Sequence, residues 1–148
     1  MRKILFLLIL ISLSNIIYAE IPEKYLSLKN NIVNVRYGPG FNYPIKYVYK
    51  KKYLPVKVID QKENFRKIID LKKNSGWIHI SQLTKQNSLI ILENKILFKK
   101  PSIFSKPIIK LKEGRLLIIT KCKYNWCKVK TEKYIGWLNA KNVWGNVD

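Results

Sequence analysis

The chain has 148 residues, 29 of them Lys or Arg and 9 Asp or Glu, for a formal net charge of +20. That length holds one ordinary domain or two small ones, and 47% hydrophobic with 12% aromatic residues is too much for a disordered polycation. Six glycines and six prolines exclude collagen-like and Pro/Gly-rich classes. One histidine, His79, and two cysteines, Cys122 and Cys127, make no metal site without carboxylates at unusual spacing, so neither metal nor cofactor is expected.

Met1-Arg2-Lys3 give a positive start, and Ile4 to Ile11 form an unbroken apolar run that Ser12, Ser14 and Asn15 interrupt. With Ala19-Glu20 behind it, this is the layout of a secretory signal peptide over residues 1–19. The run is too short and too broken for a membrane span. Ile17 departs from the small residue of an ideal cleavage site, which keeps an uncleaved anchor as the alternative. No cysteine sits near the cut to support a lipoprotein. The expected location is the periplasm or cell envelope, with residues 20–27 as a leader ahead of the first domain.

Lys outnumbers Arg 25 to 4, and Ile and Asn are abundant too. Codon bias toward A and T explains this excess as well as selection for a polyanion does. In both cases the chain is drawn to anionic surfaces, a membrane among them, with a pull that salt weakens.

Short apolar runs then alternate with turn residues, without a sustained helical period. Leu54, Val56 and Val58 alternate with Pro55 and Lys57; Ile78 and Ile80 alternate with Trp77 and His79; Leu116 and Ile118 share one face, Leu117 and Ile119 the other. The pattern predicts an all-β barrel or sandwich. An internal repeat fixes the organisation. Pro39 matches Pro101, Phe65-Arg66-Lys67-Ile68 matches Trp126-Cys127-Lys128-Val129, and Gly76-Trp77-Ile78 matches Gly136-Trp137-Leu138. The offset shrinks from 62 to 61 to 60, as single deletions in loops would produce. The expected domains are residues 28–85 and 88–148, joined at Lys85-Gln86-Asn87-Ser88. Units this small are marginal alone, which favours side-by-side packing.

In NVRYGPG, residues 34–40, Gly38 and Gly40 are expected to take positive φ around Pro39. The Gly-Trp pairs are expected where the chain bends into a strand, with Trp77 and Trp137 either closing the barrel or touching a ligand. In KCKYNWCKV the turn falls on Tyr124-Asn125, so Lys123 pairs with Trp126, Cys122 lies opposite Cys127, and Thr120 faces Val129. Opposed cysteines in an exported hairpin predict a disulfide.

NVRYGPG, the FRKI and WCKV strands and the repeated Gly-Trp resemble bacterial SH3-like (SH3b) domains. Residues 43–60 and the C-terminal WCKV, GWL and VWG are similar to exported alphaproteobacterial proteins built from two such domains. The resemblance covers about residues 28–145 and implies two tandem small SH3-like β-barrels of about five strands each. It also implies a non-catalytic module of the cell envelope that binds cell-wall peptide or glycan, or another envelope protein.

The two copies differ. Asn34, Arg36, Gly38 and Gly40 align with Ile96, Phe98, Lys100 and Ser102, and the aromatic cluster is confined to the first copy. Candidate ligand contacts are therefore Arg36, Tyr37, Phe41, Tyr43, Tyr47, Tyr49 and Trp77, with Lys50-Lys51-Lys52 as further charge for carboxylates. The alternative is that several tyrosines cap the core, that a backbone carbonyl holds Arg36, and that the lysine run is a solvated turn. The first copy is expected to recognise the ligand and the second to support it. A protein–protein adaptor for an extended or Pro-rich peptide is the second functional reading. The signal peptide and the even spread of Lys argue against nucleic acid. Catalysis is not expected, because His79 and the paired cysteines belong to different copies.

Overall fold

The short alternating runs become strands, except that the one through Trp77 ends at His79 and exposed Ile80 opens a 3-10 turn over Ile80–Gln82. The computed structural model describes residues 24–147, so the expected signal peptide, its expected cut after Ala19 and residue 148 lie outside the described residues. The first domain holds β1 (Lys24–Leu28), β2 (Val33–Arg36), β3 (Ile45–Tyr49), β4 (Pro55–Lys62), β5 (Phe65–Ile69), β6 (Ser75–His79) and β7 (Leu83–Thr84). The second holds β8 (Ser88–Ile91), β9 (Lys95–Phe98), β10 (Pro107–Leu111), β11 (Leu116–Lys123), β12 (Trp126–Lys130), β13 (Ile135–Asn139) and β14 (Val143–Gly145). Strand order is β3-β2-β6-β5-β4-β1-β7 in one sheet and β10-β9-β13-β12-β11-β8-β14 in the other, the same topology twice. The fold is all-β, with seven strands per domain where the family resemblance implies about five.

Each sheet curls around its own inner face. Leu28, Val33, Val35, Val56, Val58, Ile68, Ile78 and Leu83 form the first core. Leu89, Ile91, Leu97, Leu111, Leu117, Ile119, Cys127, Val129 and Leu138 form the second. Neither core reaches across to the other.

Residues 24–27, expected ahead of the first domain, are taken up by its sheet. They belong to β1, which pairs with β4 and, at Ser27 and Leu28, with β7. Hydrogen bonding extends the duplication to this strand: Leu28 N donates to the Leu54 carbonyl as Ile91 N does to that of Arg115. Leu28 and Ile91 are 63 residues apart, continuing the shrinking series toward the N-terminus. The sequence hides this strand because Ser27 interrupts its apolar pattern, and Ser27 is buried for a different reason.

That reason is the seam between the domains. Ser88 Oγ donates to the Tyr53 carbonyl at 2.7 Å, and Ser27 Oγ lies 2.6 Å from Ser88 Oγ. With the Ser88 proton already committed, Ser27 is the donor between them. Trp144 Nε1 donates to the Pro55 carbonyl at 3.0 Å, and the Trp144 ring meets Tyr25 edge-on at 5.2 Å. Buried hydroxyls without partners destabilise; these are satisfied across the seam.

Three local expectations need correction. Thr120 does not face Val129: a bulge between Ile119 and Lys121 leaves Ile119 opposite Val129 and Thr120 outside the register. The hairpin end is as expected, with Cys122 opposite Cys127, the two disulfide-bonded, and Tyr124 and Asn125 at φ 48° and 63° in the turn. Gly38 and Gly40 are absent from the positive-φ residues. They matter for close approach, since a Cβ at Gly38 would run into the Tyr43 ring and one at Gly40 into Asn42. Nor does Gly76 mark a bend: it lies within β6 opposite Ile68, where a Cβ would strike Val35. Left-handed backbone lies elsewhere, at Tyr53 (φ 62°) and its counterpart Gly114 (φ 81°) among other positions.

Candidate functional site

The outer face of the first sheet is where the candidate residues gather. Along β6, Gly76 and Ile78 point inward, so Trp77 and His79 point outward. Across the ladder Trp77 lies opposite Arg36 and Lys67, and His79 opposite Phe65. The loop between β2 and β3, residues 37–44, stands over this face.

Arg36 holds that loop from beneath. Its Nη1 donates to the Tyr43 carbonyl at 2.8 Å and the Phe41 carbonyl at 3.3 Å, and its guanidinium lies 5.4 Å from the centre of the Phe41 ring. The side chain is thus engaged by its own loop. Phe41 leans onto His79 (5.0 Å) and Phe65 (5.3 Å), which contact each other at 5.1 Å. His79 Nδ1 also accepts from the Ser81 amide at 3.2 Å and lies 2.8 Å from Ser81 Oγ. Sequence reading missed Phe65 as a partner here; its alignment with Trp126 was the available signal.

The tyrosines divide into two sets. Tyr37 and Tyr43 are exposed, with the Lys46 ammonium 5.7 Å from the Tyr37 ring centre. Tyr47 and Tyr49 are half-buried against the core. Their hydroxyls are 3.3 Å apart, and Tyr49 donates to Asp70 Oδ2 at 2.9 Å. Buried Asp70 also accepts from the Asn74 amide at 2.9 Å and the Asn74 side chain at 3.0 Å. Burial, then the bonds to Tyr47 and Asp70, push the Tyr49 phenol far above its ordinary range, and burial raises Tyr47 as well. These two brace the turn after β5. Of the aromatic candidates, Tyr37, Phe41 and Tyr43 stay exposed, with Trp77 half-buried beside Arg36.

The second domain treats the same positions differently. Phe98, Ile103, Trp126 and Asn139, which stand where the first domain has Arg36, Phe41, Phe65 and His79, line an open cavity of about 260 Å³. Ile103 leaves it unfilled, whereas Phe41 packs down onto its neighbours. At its edge buried Lys95 is paired with Glu93 at 2.9 Å, and Asn142 donates to the other Glu93 oxygen at 3.1 Å. These bonds hold the Glu93 carboxyl below its usual value. Where the domains meet, Lys51, Tyr53, Gln86, Arg115 and Lys130 line a cleft of about 920 Å³, which places one member of the Lys50–Lys52 run beside basic groups of the other domain.

The family model for the bacterial SH3 domain matches residues 29–85 and, again, residues 93–145. Comparison with curated proteins gives no match. Among solved structures the chain is similar to NlpC2 from Trichomonas vaginalis, at 14% identity over 82% of this chain and 48% of that one (TM-score 0.38). It is likewise similar to NlpC1 from the same organism, at 12% identity over 82% and 45% (TM-score 0.37). An NlpC/P60 family protein from Bacillus cereus matches at 12% identity over 84% and 57% (TM-score 0.38). The chain spans about half the length of these structures.

Proposed function

Since this chain belongs to the bacterial SH3 domain family, we propose that it is an exported, non-catalytic module of the cell envelope that binds cell-wall peptide or glycan through its first domain. Domains of this family are generally binding modules and typically extracellular or wall-associated. The observation that carries the reading is the Arg36-braced loop, which holds Tyr37, Phe41 and Tyr43 at the surface in a fixed arrangement. Flat, amphipathic rings that are already ordered lose little entropy when they meet a sugar face or a peptide. The charged and apolar layout of residues 1–19 supports export.

The test is retention of the purified chain from residue 20 on isolated peptidoglycan sacculi across a salt series. Retention at physiological ionic strength that falls in a Tyr37→Ala/Tyr43→Ala variant supports the reading. Complete loss there in the unaltered chain reduces the interaction to net charge and overturns it.

One observation favours a second reading, an adaptor for an extended or Pro-rich peptide of another envelope protein. The cavity between Phe98 and Trp126 is of a size for a single apolar side chain. Cross-linking in native envelopes that recovers one dominant protein and no glycan would select it.

A further inference from the structure

The most exposed large apolar side chain described is Phe104, at 92%, and its neighbour Ile103 is 66% exposed. Both occupy the tip of the loop between β9 and β10, KKPSIFSK, where Lys99, Lys100 and Lys106 flank them. The loop is tied internally. Lys99 N donates to the Lys106 carbonyl, Lys100 N to Ser105 Oγ, Phe104 N to Ser102 Oγ, and the Ser102 and Ser105 amides to the carbonyls of Lys100 and Ser102. Five backbone amides of the loop, that of Phe104 included, are therefore satisfied within it, which lowers the cost of moving it out of water. In the first domain the matching positions carry Phe41, folded down onto Phe65 and His79, and Asn42. Phe41 is itself 64% exposed, so what is peculiar to the second copy is the fully protruding Phe104 where the first has Asn42.

We infer that this loop is an interfacial anchor for an anionic lipid membrane, with Ile103 and Phe104 entering the headgroup–acyl boundary and Lys99, Lys100 and Lys106 meeting the headgroups. Two apolar side chains alone give weak, reversible attachment. A basic collar supplies the second attraction such anchors require. A soluble polyanion matches the lysines and leaves the apolar tip unexplained, whereas an apolar protein groove leaves the collar unexplained. The inference does not depend on wall binding, because sacculi contain no lipid.

The experiment is co-sedimentation of the full mature chain with vesicles of equal parts phosphatidylcholine and phosphatidylglycerol, against phosphatidylcholine alone. Binding is expected to the mixed vesicles and to weaken with salt. Ile103→Ser/Phe104→Ser should lower it at least tenfold. Lys99→Gln/Lys100→Gln/Lys106→Gln should lower it more than the same change at exposed Lys62, Lys72 and Lys133, which keeps net charge equal. Brominated lipid should quench the added emission of a Phe104→Trp variant. Undiminished vesicle binding by the Ser variant, equal losses in the two lysine variants, or an unquenched Trp would overturn the anchor, as would attachment only to an envelope protein. Sacculus retention of the Ser variant reads the wall-binding proposal separately.

Discussion

Gly38 exists for Tyr43. The Tyr43 ring lies against the Gly38 backbone so closely that no Cβ fits between them. In the second domain the matching positions are Lys100 and Ser105: the ring is gone, and so is the need for glycine. A cavity of about 370 Å³ lined by Lys100, Ser102 and Ser105 opens in that loop instead.

This coupling is testable. Gly38→Ala should destabilise the first domain by about 1–3 kcal/mol, as overpacking does. Gly38→Ala/Tyr43→Ser should recover most of that loss, giving a clear non-additive term in a double-mutant cycle. Urea unfolding of the four proteins measures it. Strict additivity would show that the close approach does not select the glycine.

Tyr49→Phe removes one bond from buried Asp70 and should cost about 1–2 kcal/mol. The phenol's pKa is raised in the folded state, so its contribution to stability is complete below the unfolded value near 10 and is lost as pH rises beyond it. Alkaline unfolding should therefore begin at lower pH in wild type than its neutral stability suggests, and the phenolate absorbance of Tyr47 and Tyr49 should appear only with that unfolding. A spectrophotometric titration in which all tyrosines ionise together before unfolding would contradict this.

Lys95 occupies the position of core residue Val33, and Glu93 is its partner. Glu93→Gln should lower the melting temperature by leaving a buried ammonium poorly paired, whereas Lys95→Val should hold or raise it. The Glu93 carboxyl is held below its usual value. Its contribution is thus present above the unfolded glutamate pKa and is lost as pH falls through the lower folded one. The deficit of Glu93→Gln should accordingly shrink in acid, as melting curves across pH will show.

The seam should fail when its hydroxyls do. Ser88→Val strips the Tyr53 carbonyl and Ser27 of their shared partner, at a cost of about 1–3 kcal/mol. Calorimetry should then resolve unfolding into two transitions. A single transition at the wild-type temperature would mean that the seam does not couple the domains.

Reduction of Cys122–Cys127 opens a small loop, and chain entropy sets its worth at about 2 kcal/mol. The first domain carries Gln61 opposite Arg66 at the matching positions. The hairpin thus closes there without a disulfide, and Cys122→Ala/Cys127→Ala, which keeps position 127 apolar within the core, should still fold, with lower stability and an unchanged circular dichroism spectrum.

The duplication, the all-β class, the hairpin turn and the disulfide were legible in the residues, because each depends on local alternation, turn chemistry or pairing across two turn residues. Tertiary structure decided what those residues do at a distance. Ser27 reads as part of a leader until Ser88 of the other domain lies beside it. Gly38 looks like a turn residue until Tyr43 folds over it. Arg36 reads equally as charge for a ligand and as a side chain held by a carbonyl until its own loop carbonyls claim it, and the Ile119–Lys121 bulge shifts Thr120 out of a register that simple counting places opposite Val129. Each of these depends on a neighbour brought close by strand pairing or by domain packing, and a linear pattern carries no record of such contacts.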